Sequence, residues 1–197
     1  MSKMLREDRP IEIAPKITGQ LNQGRPLVFD EKSGEYLNPS NVDDKIKIYE
    51  RQVKEWFLNR ATRLLRGENN GFIVLMICLS YLEGVQQYRE GTYSNWQSKQ
   101  FFVDAIERLY PGEYSHDDLK DFYKQARCGL FHDGMTRSKV IYNYGFDSPL
   151  RFAGDLTIEV NPKMLLEDIK SDFNGYIEEL KRSNNLRNIF DRMFGIL

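Results

Sequence analysis

The stretch from Phe72 to Leu82 constrains the fold more than any other part of this chain. It is an apolar run of 11 residues broken only by Ser80, and the segment continues in helical register to Tyr88. A helix that is apolar nearly all round has no wet face, so it belongs at the centre of a packed set of helices. The run falls well short of the ~20 apolar residues that a membrane-spanning helix needs. A length of 197 residues suits one domain with a real core and leaves room for an appendage.

Neighbouring segments supply what would pack around it. From Asn41 onward, Ile46, Tyr49, Val53, Phe57, Ala61, Leu64 and Leu65 recur at spacings of three and four and form one apolar stripe. Lys47, Arg51, Lys54, Arg60 and Arg63 lie on the opposite face and read as solvated. Ser94-x-x-Gln97 and Ser115-x-x-Asp118 are capping-box patterns that predict two further helices. The first has Phe101, Phe102, Val103, Ile106 and Leu109 inward; the second has Leu119, Phe122, Tyr123, Ala126 and Leu130. Asn161-Pro162 opens a fifth helix running through Leu180, and Leu186 to Leu197 predicts a short terminal one. Val140 to Tyr144 and Leu150 to Val160 predict two strands joined around Gly145 and Pro149 as a hairpin. Residues 1–40 are punctuated by Pro10, Pro15, Gly19, Gly24 and Pro26. Only Ile11 to Ile13 and a hairpin of Leu27-Val28-Phe29 with Glu35-Tyr36-Leu37 look ordered there. The expected fold class is mainly all-α. An up-and-down helical bundle would span 41–197 and carry a small β-hairpin insertion, with 1–40 as an N-terminal arm packed on the body or on a second copy.

Composition excludes several functions. Lys and Arg number 28 against 29 Asp and Glu, a net charge of -1, so the basic excess of a dedicated duplex-DNA binder is missing. Cys78 and Cys128 form neither a metal-ligand cluster nor a disulfide framework, and reduced buried thiols are expected. His116 and His132 stand outside any Cys/His cluster or H-E-x-x-H spacing, so no metal or other cofactor is expected. His116, beside Asp117 and Asp118, reads as a solvated helix-end residue. The common phosphate-binding glycine loops and the G-x-S-x-G elbow are absent from the sequence. The polar MSKMLREDRP start is no signal peptide, which makes a cytoplasmic location without a membrane partner the expectation.

One constellation bears chemistry: Arg127-Cys-Gly-Leu-Phe-His132 at the end of the fourth helix. Residues five apart on an ideal α-helix point about 140° apart, so this pair would not converge on a straight one. Gly129, with Asp133-Gly134 after it, permits a bend or a stop that brings both side chains to one cleft, with Leu130 and Phe131 anchoring the turn in the core. The bland alternative is a helix C-terminus whose basic residue suits the dipole, with an incidental His.

The stretch Tyr123-Lys-Gln-Ala-Arg-Cys-Gly-Leu-Phe-His-Asp-Gly134 resembles the R-x4-6-H signature of the HEPN superfamily (higher eukaryote and prokaryote nucleotide-binding domains). The order around it agrees over roughly residues 41–182: an apolar helix carrying Ser80-Tyr81-Leu82-Glu83, then the motif, then strands, then Asn161-Pro162 opening a long helix. The resemblance implies a helical-bundle homodimer that cuts RNA without a metal, in stress or phage defence, with Arg127 and His132 of both protomers lining one cleft. His132 would be the acid/base and Arg127 the phosphate clamp, roles that suit a side chain titrating near neutrality and an always-charged fork of donors. Catalytic members usually carry a polar residue after the Arg, where Cys128 stands here. Asp133-Gly134 replace the region where a toxin subgroup carries a modified Tyr.

Glu83 either faces that cleft and pairs with Arg127 or marks the solvent end of its helix. Arg137 and Lys139 either bind RNA phosphates or edge a solvated hairpin. Trp56, Trp96 and Phe101 read as core or dimer interface and not as base-stacking platforms. Three functional readings follow. The first is the HEPN-type endoribonuclease, with RNA or a nucleotide as partner and an antitoxin or regulatory protein as a further candidate. The second is a non-catalytic HEPN-like module that binds a nucleotide, RNA or a protein. The third is a plain helical interaction domain in which the motif is accidental.

Overall fold

The computed structural model describes residues 5–154 and 156–195. It corrects the all-α expectation: the chain is a mixed α/β protein with a four-stranded and a three-stranded sheet beside its helices. Its contacts divide it into two compact units, residues 1–60 with 175–197, and residues 61–174.

The first unit begins with an antiparallel meander of β1 (Ile11–Ala14), β2 (Ile17–Asn22), β3 (Arg25–Asp30) and β4 (Glu35–Leu37). The hairpin expected near its end is β3 with β4, Val28 opposite Leu37 and Phe29 opposite Tyr36. Two further strands, β1 and β2, lie in the stretch expected to be an arm: Pro15 and Gly24 stand in the turns between strands, while Gly19 and Pro26 lie within β2 and β3. Gln23 and Gly24 close the β2–β3 loop with φ of +51° and +73°, the handedness that matches the twist of paired strands. Ile13, Ile17 and Val28 are buried.

Helix α1 (Val42–Arg51) is capped by Asn41, whose side chain accepts from the Asp43 amide. It runs into a π-helical segment, Gln52–Leu58, and then α2 (Asn59–Leu64). A π-helix bonds i→i+5, so each turn holds an additional residue and the apolar stripe slips in phase. Leu58 is consequently only 2% exposed, whereas Phe57, expected inward, is 48% exposed.

In the second unit α3 (Gly71–Glu90) is the central helix that its composition demands: Val74, Leu75, Cys78, Leu79, Leu82 and Val85 are buried. Gly91 ends it in the left-handed region. Helix α4 (Ser98–Leu109) packs on α3 and buries Phe101, Phe102, Val103 and Ile106. The capping box expected at Ser94 does not form, since residues 94–97 make a turn with Asn95 and Trp96 at φ +32° and +72°. Helix α5 (His116–Phe122) does start at its box, Ser115 Oγ accepting from the Asp118 amide at 3.1 Å. It continues into a second π-helical segment, Tyr123–Asp133.

The expected hairpin after it is instead a three-stranded mixed sheet of β5 (Val140–Tyr142), β6 (Leu150–Phe152) and β7 (Ile158–Val160), ordered β5-β7-β6. The last strand takes the centre, parallel to β5 and antiparallel to β6. A turn closed by Ala153 N–H to the Thr157 carbonyl splits the run that reads as one strand.

Asn161 caps α6 (Pro162–Arg182), accepting from the Lys163 and Met164 amides at 3.1 and 3.2 Å. Helix α7 (Asn184–Met193) follows, and in the first unit its Phe190 ring lies 5.3 Å from that of Tyr49. The last two residues of the expected terminal helix, the first four of the polar start and Asp155 lie outside the described residues. Among the described residues no helix is long and apolar enough to cross a membrane.

Candidate functional site

The Arg127/His132 pair lies in the second unit, on the π-helical segment Tyr123–Asp133. With i→i+5 bonding, residues five apart stack one turn above another, as residues four apart do in an α-helix. Arg127 and His132 therefore share a face without the bend or stop expected at Gly129, and Arg127 Nη1 lies 3.5 Å from His132 Nε2. Gly129 has a different task. A Cβ there would lie 2.6 Å from the Met135 carbonyl oxygen and 2.9 Å from the Arg137 nitrogen. Its absence lets the chain fold back onto the wide helix, where the Arg137 amide donates to the Gln125 carbonyl at 2.9 Å.

Arg127 is held in place from three sides. Glu83 Oε2, from α3, accepts from Nε at 3.2 Å and Nη2 at 2.9 Å. Both side chains are largely covered, 19% and 13% exposed, so the ion pair is shielded from water and salt. The guanidinium also lies 4.8 Å from the centre of the Phe131 ring and 5.6 Å from that of Tyr123, within cation–π range. Phe131, expected to anchor the turn in the core, is 41% exposed, and buried Leu130 does that work. With one edge of the guanidinium taken by the carboxylate, Nη1 is the group presented toward His132, which is exposed.

Cys128, the residue after the Arg, lines a pocket with Tyr123, five positions away. Burial pushes the Tyr123 phenol above its ordinary range, with the Arg127 charge opposing and Cys128 and Glu83 adding to the rise. The pocket that Cys128 and Tyr123 share has a volume of about 410 Å³ and is also lined by Lys99, Asp117, Lys120, Asp121 and Lys124. Arg137 and Lys139 are each held by a carboxylate: Arg137 Nε donates to Asp133 at 2.7 Å, and Lys139 Nζ to Asp121 at 3.1 Å. Glu83 is thus brought together with Arg127 and His132, while Arg137 and Lys139 have partners of their own. Among the described residues no three potential His, Cys or carboxylate ligands gather around one point. Cys78 is fully buried, and burial pushes its thiol far above the ordinary range.

Sequence reasoning missed the aromatic flanks of Arg127 and the lysine-lined pocket. Tyr123 and Phe131 stand four residues to either side of Arg127, a spacing that pattern reading can detect. Ser94, whose Oγ lies 3.4 Å from Glu83 Oε1, left no local signal. Comparison of the chain with protein-family models, with curated proteins and with solved structures gave no match.

Proposed function

We propose that this protein is a metal-independent endoribonuclease of the HEPN type that acts as a homodimer, in the cytoplasm, in stress or phage defence. The observation that supports this reading most is the approach of Arg127 Nη1 to His132 Nε2 on one face of a wide helix, with Glu83 fixing the arginine. Cutting RNA without a metal needs a base for the 2′-OH proton, an acid for the departing 5′-oxygen and a cation for the phosphorane. The 2′-oxygen bonds to phosphorus as the P–O5′ bond breaks, leaving a 2′,3′-cyclic phosphate and a 5′-OH. One proton leaves the 2′-oxygen and one reaches the 5′-oxygen, which two histidines can accomplish as base and acid. Each protomer carries His132, so a symmetric pair supplies both. Arg127 Nη1 donates to the non-bridging phosphate oxygens as their charge grows. Glu83 keeps the guanidinium from swinging away, which places the donor before substrate arrives.

The test is cleavage of a mixed-sequence RNA in EDTA by wild type and by His132→Ala, with light scattering to establish the dimer. Cleavage that leaves cyclic phosphate ends and disappears in the variant is the expected result. A well-folded wild-type dimer that leaves RNA intact overturns the catalytic reading. The second reading, a module that binds a nucleotide, RNA or a regulatory protein without cutting, is favoured by the weakly hydrogen-bonding thiol of Cys128 directly after Arg127 and by the neutralisation of Arg127 by Glu83.

A further inference from the structure

We infer that Trp96 is a base-stacking residue and, with Lys99 and Lys124, forms a single-stranded RNA subsite beside the Arg127/His132 pair. The inference rests on the reading that this pair handles an RNA phosphate and adds how the strand next to that phosphate is held. Trp96 is fully exposed, and its backbone is left-handed at φ +72°, next to Asn95 at +32°. A bulky residue avoids that conformation, and an indole ordinarily gains from burial. Strain of this kind persists where the surroundings impose it, and it is found at binding sites more than elsewhere.

Here the surroundings do impose it. The Ser94 amide donates to Gln87 Oε1 at 3.2 Å, Ser94 Oγ lies 3.4 Å from Glu83 Oε1 and 3.2 Å from Ser98 Oγ, and the Gln97 amide donates to the Ser94 carbonyl at 2.6 Å. The turn that lifts Trp96 into solvent is therefore fastened to the carboxylate that holds Arg127. Three residues further on, Lys99 lines the pocket that Tyr123 and Cys128 share with Lys124. Among the described residues neither Lys99 nor Lys124 has an ion-pair partner, whereas Lys120 is paired with Asp117. An exposed ring on the turn that leads into Lys99, with Lys99 and Lys124 unpaired on one pocket, is a combination suited to an unpaired strand: the ring takes a base face, the cations take phosphates, and sequence matters little. A duplex offers no free base face to such a ring.

The test uses a Trp56→Phe protein, which leaves Trp96 as the remaining one of the two tryptophans. It is titrated with a 2′-O-methyl oligonucleotide, which has no attacking hydroxyl and so is bound but not cut, and with the corresponding duplex. Circular dichroism checks each variant for folding. The expected result is saturable quenching of Trp96 fluorescence by the single strand and little by the duplex. Trp96→Ala should weaken binding about tenfold, with Trp96→Phe restoring most of it. Lys99→Ala and Lys124→Ala should weaken binding and reduce its salt dependence. RNA bound and cut by Trp96→Ala as well as by wild type, with no quenching, overturns the subsite and leaves the nuclease reading standing. Quenching by an RNA that wild type never cuts leaves the subsite standing and overturns the nuclease. No RNA binding, with Trp96→Ala splitting a dimer seen by light scattering, overturns the subsite and assigns Trp96 to a contact between copies.

Discussion

At Gly129 the wide helix and the chain returning over it come so close that a Cβ would lie 2.6 Å from the Met135 carbonyl oxygen. The opposing atoms are backbone, which cannot rotate away as a side-chain tip could. Gly129→Ala should therefore lower stability by roughly 1–3 kcal/mol, the usual range for overpacking, read as a shift in the urea midpoint at unchanged slope. Glu83 carries a different burden. Glu83→Gln preserves size while removing the charge that Arg127 faces in a largely covered pair. Loss of a charge-assisted bond there should cost about 2 kcal/mol. Under the proposed mechanism it should also slow RNA cleavage roughly a hundredfold through a misplaced guanidinium. A stability loss with cleavage unchanged would show that Glu83 serves the fold and has no part in placing Arg127 Nη1.

The two π-helical segments, Gln52–Leu58 and Tyr123–Asp133, mark where reading the sequence by an α-helical period succeeds and where it stops. The central helix α3, the Ser115 cap and the Asn161-Pro162 start were legible because each depends on neighbours in sequence. The strand order β5-β7-β6 was not, because it places the last strand between two earlier ones through pairings that no local pattern specifies. At the candidate site, spacing alone left an incidental His open and the resemblance to the R-x4-6-H signature singled out Arg127 and His132, while Glu83 facing the cleft was one of two open possibilities. What stayed hidden was how Arg127 and His132 converge: α geometry separates them by about 140°, and the π-helical phase takes the place of the bend expected at Gly129. The lysines of the pocket come from α4, α5 and the wide helix, and only the fold assembles them. The same phase slip has a test on the first segment. Leu58→Ala should cost about 2–5 kcal/mol, as loss of a buried leucine does, while Phe57→Ser should change stability by less than about 1 kcal/mol. An uninterrupted α-helical stripe through Val53, Phe57 and Ala61 would give the reverse order in urea denaturation.

Across the whole chain a net charge of -1 conceals how many charges are consumed internally. In the second unit Asp172, 8% exposed, accepts from Tyr81 at 2.7 Å and pairs with Arg108. In the first, the basic residues at the end of α1 and the start of the π-helical segment are paired: Lys54 with Glu50, and Arg51 with fully buried Asp30 through two bonds of 2.9 and 3.0 Å. Burial alone would raise the pKa of Asp30, but hydrogen bonds from Arg51, the Lys32 amide and Lys47, with the Arg51 charge, outweigh it and hold the carboxyl well below the ordinary range. A carboxyl depressed in the folded state stabilises above its unfolded pKa of about 3.9, and that stabilisation fades as pH falls below it toward the folded value. Asp30→Asn should accordingly cost about 3 kcal/mol at pH 7, because it removes the buried charge that Arg51 and Lys47 both face and leaves Arg51 only the longer contact with Glu55. The gap between the urea midpoints of variant and wild type should then narrow steadily as pH is lowered from about 4 toward 2. A gap that stays constant over that window would mean the pair is neutral-bonded in the folded state and that acid acts on the first unit through other groups.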